Sequence, residues 1–474
     1  MDYKNLGFKC GVEIHNRLAT NGKLFCNCKA SFSDKKHSGE VIRKLRAVAG
    51  ETGEVDVAAV HEYLKNKSFV YNSYDKESCL VETDSEPPHG MNKEALEIGL
   101  QISKMLKAEI PDEIHVMRKT VVDGSNTSGF QRTALVGMNG ILKTSKGDVR
   151  ISNISIEEES SGIVEKGKNS VFRLDRLGIP LVEIGTEPDI VDPEHALEVA
   201  EKIGMIVRST GKSQRGIGVT RQDVNVSIKG GARVEIKGFQ ELSMIPKIIE
   251  EEIKRQQQLI IKGEKPKEET RMAKLNGKTE FMRPLPGGGR MYPETDIEPI
   301  VVTRDIITKL VIPETWDKKL VKFKKILPGD MANQILKSEY LQLFENYSKE
   351  HDPVLVASVF TSTIKDLRRK GFDVNKITYD NFEDVFNYLA KKKIAKEAIP
   401  TILENFSKNP NIRIEEMGFE SAGSEDVRKI IKGIIEKNPD VSFGGLMGDV
   451  MKELKGRASG QEVKKILEEE LKKK

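Results

Sequence analysis

Cysteine is scarce. Four residues in a chain of 474, Cys10, Cys26, Cys28 and Cys79, argue against a disulfide scaffold and for a reducing cytoplasm. No long apolar run occurs, so no segment reads as a membrane helix. The N-terminus, MDYKNLGFKC, has neither the basic nor the apolar region of a secretory signal. An excess of one charge is lacking too: the net charge is +4 with 32% charged residues. That balance does not mark a polyelectrolyte binder, and any basic surface must be local. The GxxxxGKS/T and GxGxxG fingerprints of nucleotide sites are absent from a strand-to-helix context, and so is a GxSxG elbow. "CNC" at Cys26–Cys28 is half of a zinc signature. Zinc takes four ligands, no second CxC or CxxC follows, and Cys79 stands alone in the sequence, so no zinc is expected. No self-similarity at solenoid spacing appears.

What is present is enough apolar material, 38%, for globular cores in a length suited to two to four domains. Residues 1–300 mix strand-like alternation with glycine turns: "VEIHNRL", "DVRISNISI", "PLVEIG" and "DVNVSIKGGARVEIKG" read as strands or hairpins, the last turning at Gly230-Gly231. Two helices interrupt them. "DPEHALEVAEKIGMIVRSTG" has Asp192 as N-cap, Pro193 at the first helical position and Gly211 past the end. "SMIPKIIEEEIKRQQQLIIKG" is the other, followed by the charged loop 262–269. Beyond residue 300 the pattern turns helical. "EDVRKIIKGIIEK" puts Val427, Ile430, Ile431, Ile434 and Ile435 on one stripe. These patterns predict an α+β protein in three parts: a body over 1–300 with a mixed or antiparallel sheet, an all-helical stretch over 301–406, and a small helical tail over 407–474.

In "CGVEIHNRLAT" strand alternation gives Val12 and Ile14 one face and Glu13 and His15 the other. More carboxylates sit on neighbouring strand patterns: Glu157, Glu158 and Glu159; Asp175, Glu183, Glu187 and Asp189; Asp223 with Asn225. Crowded carboxylates repel unless a cation neutralises them, and an oxygen-rich set suits Mg2+. The alternative for each is a solvated strand face. "LPGGGRMYPETD", 285–296, could bring backbone N–H groups to a phosphate or be a plain surface loop.

"RKTVVDGSNTSGFQRTALV", 118–136, gathers Lys119, Asp123, Ser125, Asn126, Thr127, Ser128, Gln131 and Arg132 around two glycines. So many distinct polar groups suit a ligand cradle. The stretch closely resembles the GatB/GatE family of tRNA-dependent amidotransferase subunits, in its archaeal E-type wording. "GVEIHNRLATNGKLFCNC", "LRAVAGETGEVDVAAVHEYL", "VFRLDRLGIPLVEIGTEPDI", "RQDVNVSIKGGARVEIKGFQEL" and "RPLPGGGRMYPETDI" carry the resemblance in family order. "GGLMGDVMKELKGRASGQEV" extends it to the small YqeY-like tail domain.

The resemblance implies an ATP-dependent enzyme that converts Glu-tRNA(Gln) to Gln-tRNA(Gln). The γ-carboxylate is phosphorylated and ammonia displaces the phosphate. It implies an asparaginase-like GatD-type partner as ammonia source, and Mg2+ held by Glu13, His15, Glu157 and Glu183 with Asp223 in the same cradle. Lys119, Ser125, Asn126, Ser128 and Arg132 would face ATP. Lys452, Lys455, Arg457 and Lys464 in the tail would contact tRNA. Two alternatives stand beside it: a GatB-like subunit with GatA/GatC-type partners, or a non-catalytic tRNA-binding protein. One departure is large. E-type members usually carry an inserted domain like one of bacterial aspartyl-tRNA synthetases, after the helix ending near Lys262. Here only "KGEKPKEETRMAKLNGKTE" bridges that point.

Overall fold

The computed structural model describes all residues except 168, 215, 217, 420–422, 439–440, 455–456 and 473–474. The chain forms two compact units, Met1–Trp316 and Asp317–Lys474.

The first unit is built on a ten-stranded sheet. Its order is Thr279–Pro284, Glu269–Ala273, Val234–Lys237, Thr220–Ser227, Lys9–Arg17, Pro180–Thr186, Gly147–Glu158, Phe130–Thr144, Val116–Thr120 and Met291–Pro293. Every pairing is antiparallel except that of Val234–Lys237 with Glu269–Ala273, so the sheet is mixed. One face is apolar: Val12, Ile14, Ala134, Ile154, Ile156, Val182, Ile184, Val224 and Val226 are buried in one core. Helices Lys93–Met105, Pro193–Ser209 and Ile245–Ile261 contribute Ile98, Ile102, Val199, Ile203, Ile249 and Ile253 to it. The second helix starts as the sequence predicts: Asp192 accepts a 2.7 Å bond from the His195 N–H, Pro193 follows, and Gly211 has φ +70°. Covering one face drives the apolar half of each strand inward and leaves the polar half of the central strands on the other face.

A second, four-stranded sheet, Gly39–Arg43, Ser68–Ser73, Asn169–Arg173 and Gly162–Glu165, encloses Phe69, Tyr71, Phe172, Leu174 and Leu177. It anchors the polar loop 123–129. The Tyr71 hydroxyl donates to the Gly124 carbonyl at 2.8 Å. Gly124 has φ +94°, and a Cβ there would lie 2.4 Å from Phe69, so only glycine fits.

The 285–296 segment is not a plain surface loop. Met291–Pro293 pairs with Val116–Thr120 at the sheet edge, which carries Glu294 into a buried ion-pair cluster. Among the described residues, the regular elements of the second unit are helices. In its tail, Ser424–Lys437, Phe443–Leu454 and Gly460–Leu471 share a separate core of Val427, Ile431, Leu446, Val450, Val463 and Leu467.

Candidate active site

The polar face of the large sheet converges on His15. Strand register sets Glu183 directly opposite His15 on one side and Arg221 on the other. Side chains paired this way stand on the same face. His15 Nε2 lies 3.1 Å from Glu183 Oε2, and Nδ1 lies 3.9 Å from Asp223 Oδ2. Glu157 arrives from the next strand, where the Thr133 hydroxyl donates to it at 2.6 Å and the Gln131 amide at 3.0 Å. Lys119 Nζ lies 2.5 Å from Glu157 Oε1 and 3.3 Å from Glu183 Oε2. Donor atoms of His15, Glu157 and Glu183 lie within 4.8 Å of one another, and so do those of Glu13, His15 and Asp223. Two overlapping groups of candidate cation ligands therefore share the imidazole.

The electrostatics follow from this crowding. Burial opposes a charged imidazole, but the hydrogen bond and charge of Glu183, helped by Asp223 and Glu13, win and lift His15 to about 9. Burial and the Glu183 charge raise Glu13 to about 7, and the same two causes raise Glu157. Glu183 goes the other way. Burial would raise it, but Lys119 and His15 hold it well below the usual carboxylate range. The set of carboxylates, one imidazole and no thiol fits a hard divalent cation such as Mg2+.

Charge changes sign along this face. On one flank Lys237 Nζ bridges Asp223 Oδ2 at 2.5 Å and Glu235 Oε1 at 3.0 Å. On the other, three guanidiniums meet one carboxylate. Arg221 binds Glu159 with two bonds of 2.7 and 2.9 Å, Arg176 lies 3.2 Å away and Arg17 4.0 Å away. Burial, and then Arg176 and Arg221, depress the Arg17 guanidinium against the pull of Glu159. Positive charge is in excess there. Arg17 lies two residues past His15 on the same strand face, so alternation signalled it. Arg221 needed the register, and Arg176 lies off the sheet.

The remaining expected residues spread out. Ser125 and Asn126 bond each other at 3.2 Å, Asn126 is buried, and the Ser128 hydroxyl donates to the Phe130 carbonyl at 3.0 Å. Arg132 alternates with Gln131 and so stands on the opposite side of its strand. It is engaged by Glu294 at 2.8 Å and Glu158 at 3.3 Å. Asp175 pairs with Arg173, and Asp189 pairs with Arg150 at 2.8 Å, so the acidic pool does not converge as a whole. In the tail Lys452 and Lys464 are exposed and Arg457 is half-buried; Lys455 lies outside the described residues. The premise behind expecting no zinc does not hold. Cys79 joins Cys26, Cys28 and Glu82, with all four donor atoms within 4.8 Å of one another.

A polar sheet face that gathers carboxylates and an imidazole beside arginines has the donor types that phosphoryl-transfer sites use. The GatB/GatE catalytic-domain model matches residues 8–308, and a GatB-domain model matches 342–471. The chain belongs to the GatB/GatE family. It is 34% identical over 626 aligned positions to the E-type subunit of glutamyl-tRNA(Gln) amidotransferase from Methanococcus vannielii, covering 100% of this chain and 99% of that one. It is 36% identical over 609 positions to the same subunit of Archaeoglobus fulgidus, with the same coverages. The Methanocaldococcus jannaschii counterpart is 34% identical over 626 positions, again with the same coverages. These alignments run well past the 474 residues of this chain, so its relatives hold long stretches without a counterpart here.

Proposed function

We propose that this chain is the amidating subunit of a tRNA-dependent amidotransferase, acting on Glu-tRNA(Gln) as the names of its E-type relatives say of those proteins. One observation carries the reading: the ligand face of His15, Glu157 and Glu183 adjoins the surplus of guanidiniums at Arg17, Arg176 and Arg221. Such a face accommodates a nucleoside triphosphate and a carboxylate together.

Glu13, His15, Glu157, Glu183 and Asp223 would hold Mg2+, whose chemistry is to neutralise charge between phosphate oxygens. The substrate γ-carboxylate attacks the terminal phosphorus of ATP; a C–O–P linkage forms and ADP leaves. Ammonia then attacks the acyl carbon, a C–N bond forms, inorganic phosphate departs, and the nitrogen loses a proton. Lys119 and the arginine cluster stabilise the transferring phosphoryl charge. Ser125, Asn126 and Ser128 orient the nucleotide from the 123–129 loop, and Arg132 holds the sheet end beneath it. None of these steps needs a protein nucleophile.

In this reading ammonia comes from a GatD-type asparaginase-like partner. The helical part divides near residue 407, and its tail binds the tRNA body through Lys452, Lys455, Arg457 and Lys464. A cytoplasmic location accords with a role in translation; no helix among the described residues is long and apolar enough to cross a membrane. The test is direct: the purified chain, ATP, Mg2+, an ammonium salt and Glu-tRNA(Gln) should yield Gln-tRNA(Gln) and ADP. Absence of both products with competent tRNA would refute the reading. The missing insertion favours one variant, a GatB-like subunit with GatA/GatC-type partners, and the proteins recovered by affinity capture from the native cell decide between the two.

A further inference from the structure

The glycine-rich stretch LPGGGR, 285–290, leads into the edge strand Met291–Pro293, where register sets Met291 directly opposite Lys119. Arg290 closes the short turn Gly288–Arg290. It therefore stands next in the chain to the residue that pairs with Lys119, the lysine that reaches Glu157 and Glu183.

The turn is pinned on both sides of Arg290. The Gly287 N–H donates to Asp56 Oδ1 at 2.7 Å. The Gly289 carbonyl comes so near Gly50 that a Cβ on Gly50 would lie 1.6 Å from its oxygen, an approach only glycine allows. The Glu51 N–H donates to the Met291 carbonyl at 3.1 Å. Beyond Met291 the Arg118 guanidinium lies 5.8 Å from the Tyr292 ring, and Arg118 and Arg132 both hold Glu294. Arg290 itself is half-buried and makes no hydrogen bond or ion pair among the described residues. The guanidiniums of Arg118 and Arg132 each have carboxylates. Arg290 has a like charge instead: it works against the Lys119 ammonium, which Glu157 and Glu183 sustain. Cations held side by side repel, and a frame this firm holds them ready for an anion.

We propose that Arg290 is a further catalytic residue, whose guanidinium binds the terminal phosphoryl group of ATP together with Lys119, a role that rests on the carboxylate-phosphorylating function proposed above. A planar fork of donors matches phosphate oxygens. Arg290 comes from the sheet edge, whereas Arg17 stands four strands away in the sheet order, so cations meet the phosphoryl group from both sides. As the substrate carboxylate oxygen attacks the terminal phosphorus, an O–P bond forms. The bridging P–O bond breaks, and its electron pair passes to the departing ADP oxygen. Negative charge then spreads over the equatorial oxygens, where the Arg290 N–H groups donate. The guanidinium stays protonated throughout and moves no proton.

The test compares wild type, Arg290→Ala and Arg290→Lys as full chains with Mg2+ and Glu-tRNA(Gln). It reads ADP release, and the binding of ADP with and without aluminium fluoride, a mimic of the transferring phosphoryl group. Arg290→Ala should lower the rate at saturating ATP and tRNA about 100-fold or more. It should weaken binding of ADP with aluminium fluoride by a similar factor and hardly change binding of ADP alone, since only the terminal phosphoryl position is touched. Arg290→Lys should recover part of both losses, because a point charge replaces a fork. The melting temperature should stay at the wild-type value, as Arg290 has no bonded partner in the fold to lose. Wild-type turnover and aluminium fluoride affinity in Arg290→Ala would overturn the role while leaving the amidating function standing. So would equal losses with ADP alone, a raised KM for tRNA at an unchanged saturating rate, or a melting temperature that falls in step with the rate. A wild type that forms neither ADP nor Gln-tRNA(Gln) would remove the amidating function itself, and this role with it.

Discussion

Lys119 and Glu157 form a buried ion pair, Nζ to Oε1 2.5 Å, at the place where two carboxylates converge. The ammonium is held above its ordinary value: burial alone would lower it, but the charges of Glu157 and Glu183 prevail. Lys119 thus neutralises what a divalent cation would also neutralise. Lys119→Met should cost about 3–5 kcal/mol of stability in chelator, the penalty for stranding a buried charge. Mg2+ should return much of it, giving a larger Mg2+-dependent rise in Tm than in the wild type. Equal Mg2+ shifts in both proteins would remove the cation site from this cluster. Turnover should still fall about 100-fold or more, since a phosphoryl-stabilising charge is gone.

Glu157→Gln and Glu183→Gln keep the shape and remove a charged ligand each. Both should abolish Mg2+-dependent ADP formation in the presence of Glu-tRNA and leave tRNA affinity nearly unchanged, because that affinity rests on phosphate contacts elsewhere. His15→Ala removes a ligand that would be neutral once the ion displaced its proton, and should cost less. Wild-type turnover in both glutamine variants would defeat the assignment.

How much of this was legible beforehand differs from residue to residue. The period of two in "VEIHNR" put Glu13 and His15 on one face, which the same alternation extends to Arg17, not singled out there, and the caps of Pro193–Ser209 were written in Asp192, Pro193 and Gly211. Register was not written: nothing local says that Glu183 and Arg221 flank His15, since a shift of one residue would send both to the other face. The resemblance supplied Glu157 and Glu183 without geometry. Cys79 looked solitary because ligand spacing is read along the chain. The turn that brings it to Cys26 depends on long-range packing.

The proposed division of labour gives a third expectation. Free ammonium should support amidation by this chain alone, while asparagine or glutamine should not, because no amidase machinery is recognisable in it. Amidation from asparagine without a partner would contradict this, and thin-layer analysis of the amino acid released from the tRNA reads it directly.

Glu159 provides an acid-stability test. Burial would raise its carboxyl, but Arg221 and Arg176 hold it below the ordinary 4.5. A depressed carboxyl contributes stability above its unfolded value and loses it as pH falls through the folded one. The wild type should therefore weaken below about pH 4.5 partly through this group. Glu159→Gln should lose about 3–5 kcal/mol at pH 7, where three guanidiniums are left facing one another, and show a flatter acid limb. ATP should stabilise the variant more than the wild type if the arginines receive phosphate. An unchanged acid limb would mean that Glu159 is not ionically linked to them.

The tail can be tested by charge as well as by removal. Its core is made of its own residues, Val427 through Leu467, so exposed substitutions should leave it folded. Lys452 is exposed, and so is Lys464, which has Glu468 3.9 Å away along the same helix. An exposed pair of that kind is worth well under 1 kcal/mol, leaving both ammonium groups available to phosphates. Removing one lysine–phosphate interaction should lower the salt slope of tRNA binding by about one. Lys452→Glu with Lys464→Glu should therefore raise the KM for tRNA several-fold and reduce the slope by about two. The rate at saturating tRNA should hardly change, since the acidic face is untouched. Deleting the chain from about residue 410 should act in the same direction and further. If KM and slope both stay at wild-type values in the doubly reversed variant, these lysines are a solvated helix face and tRNA is held elsewhere.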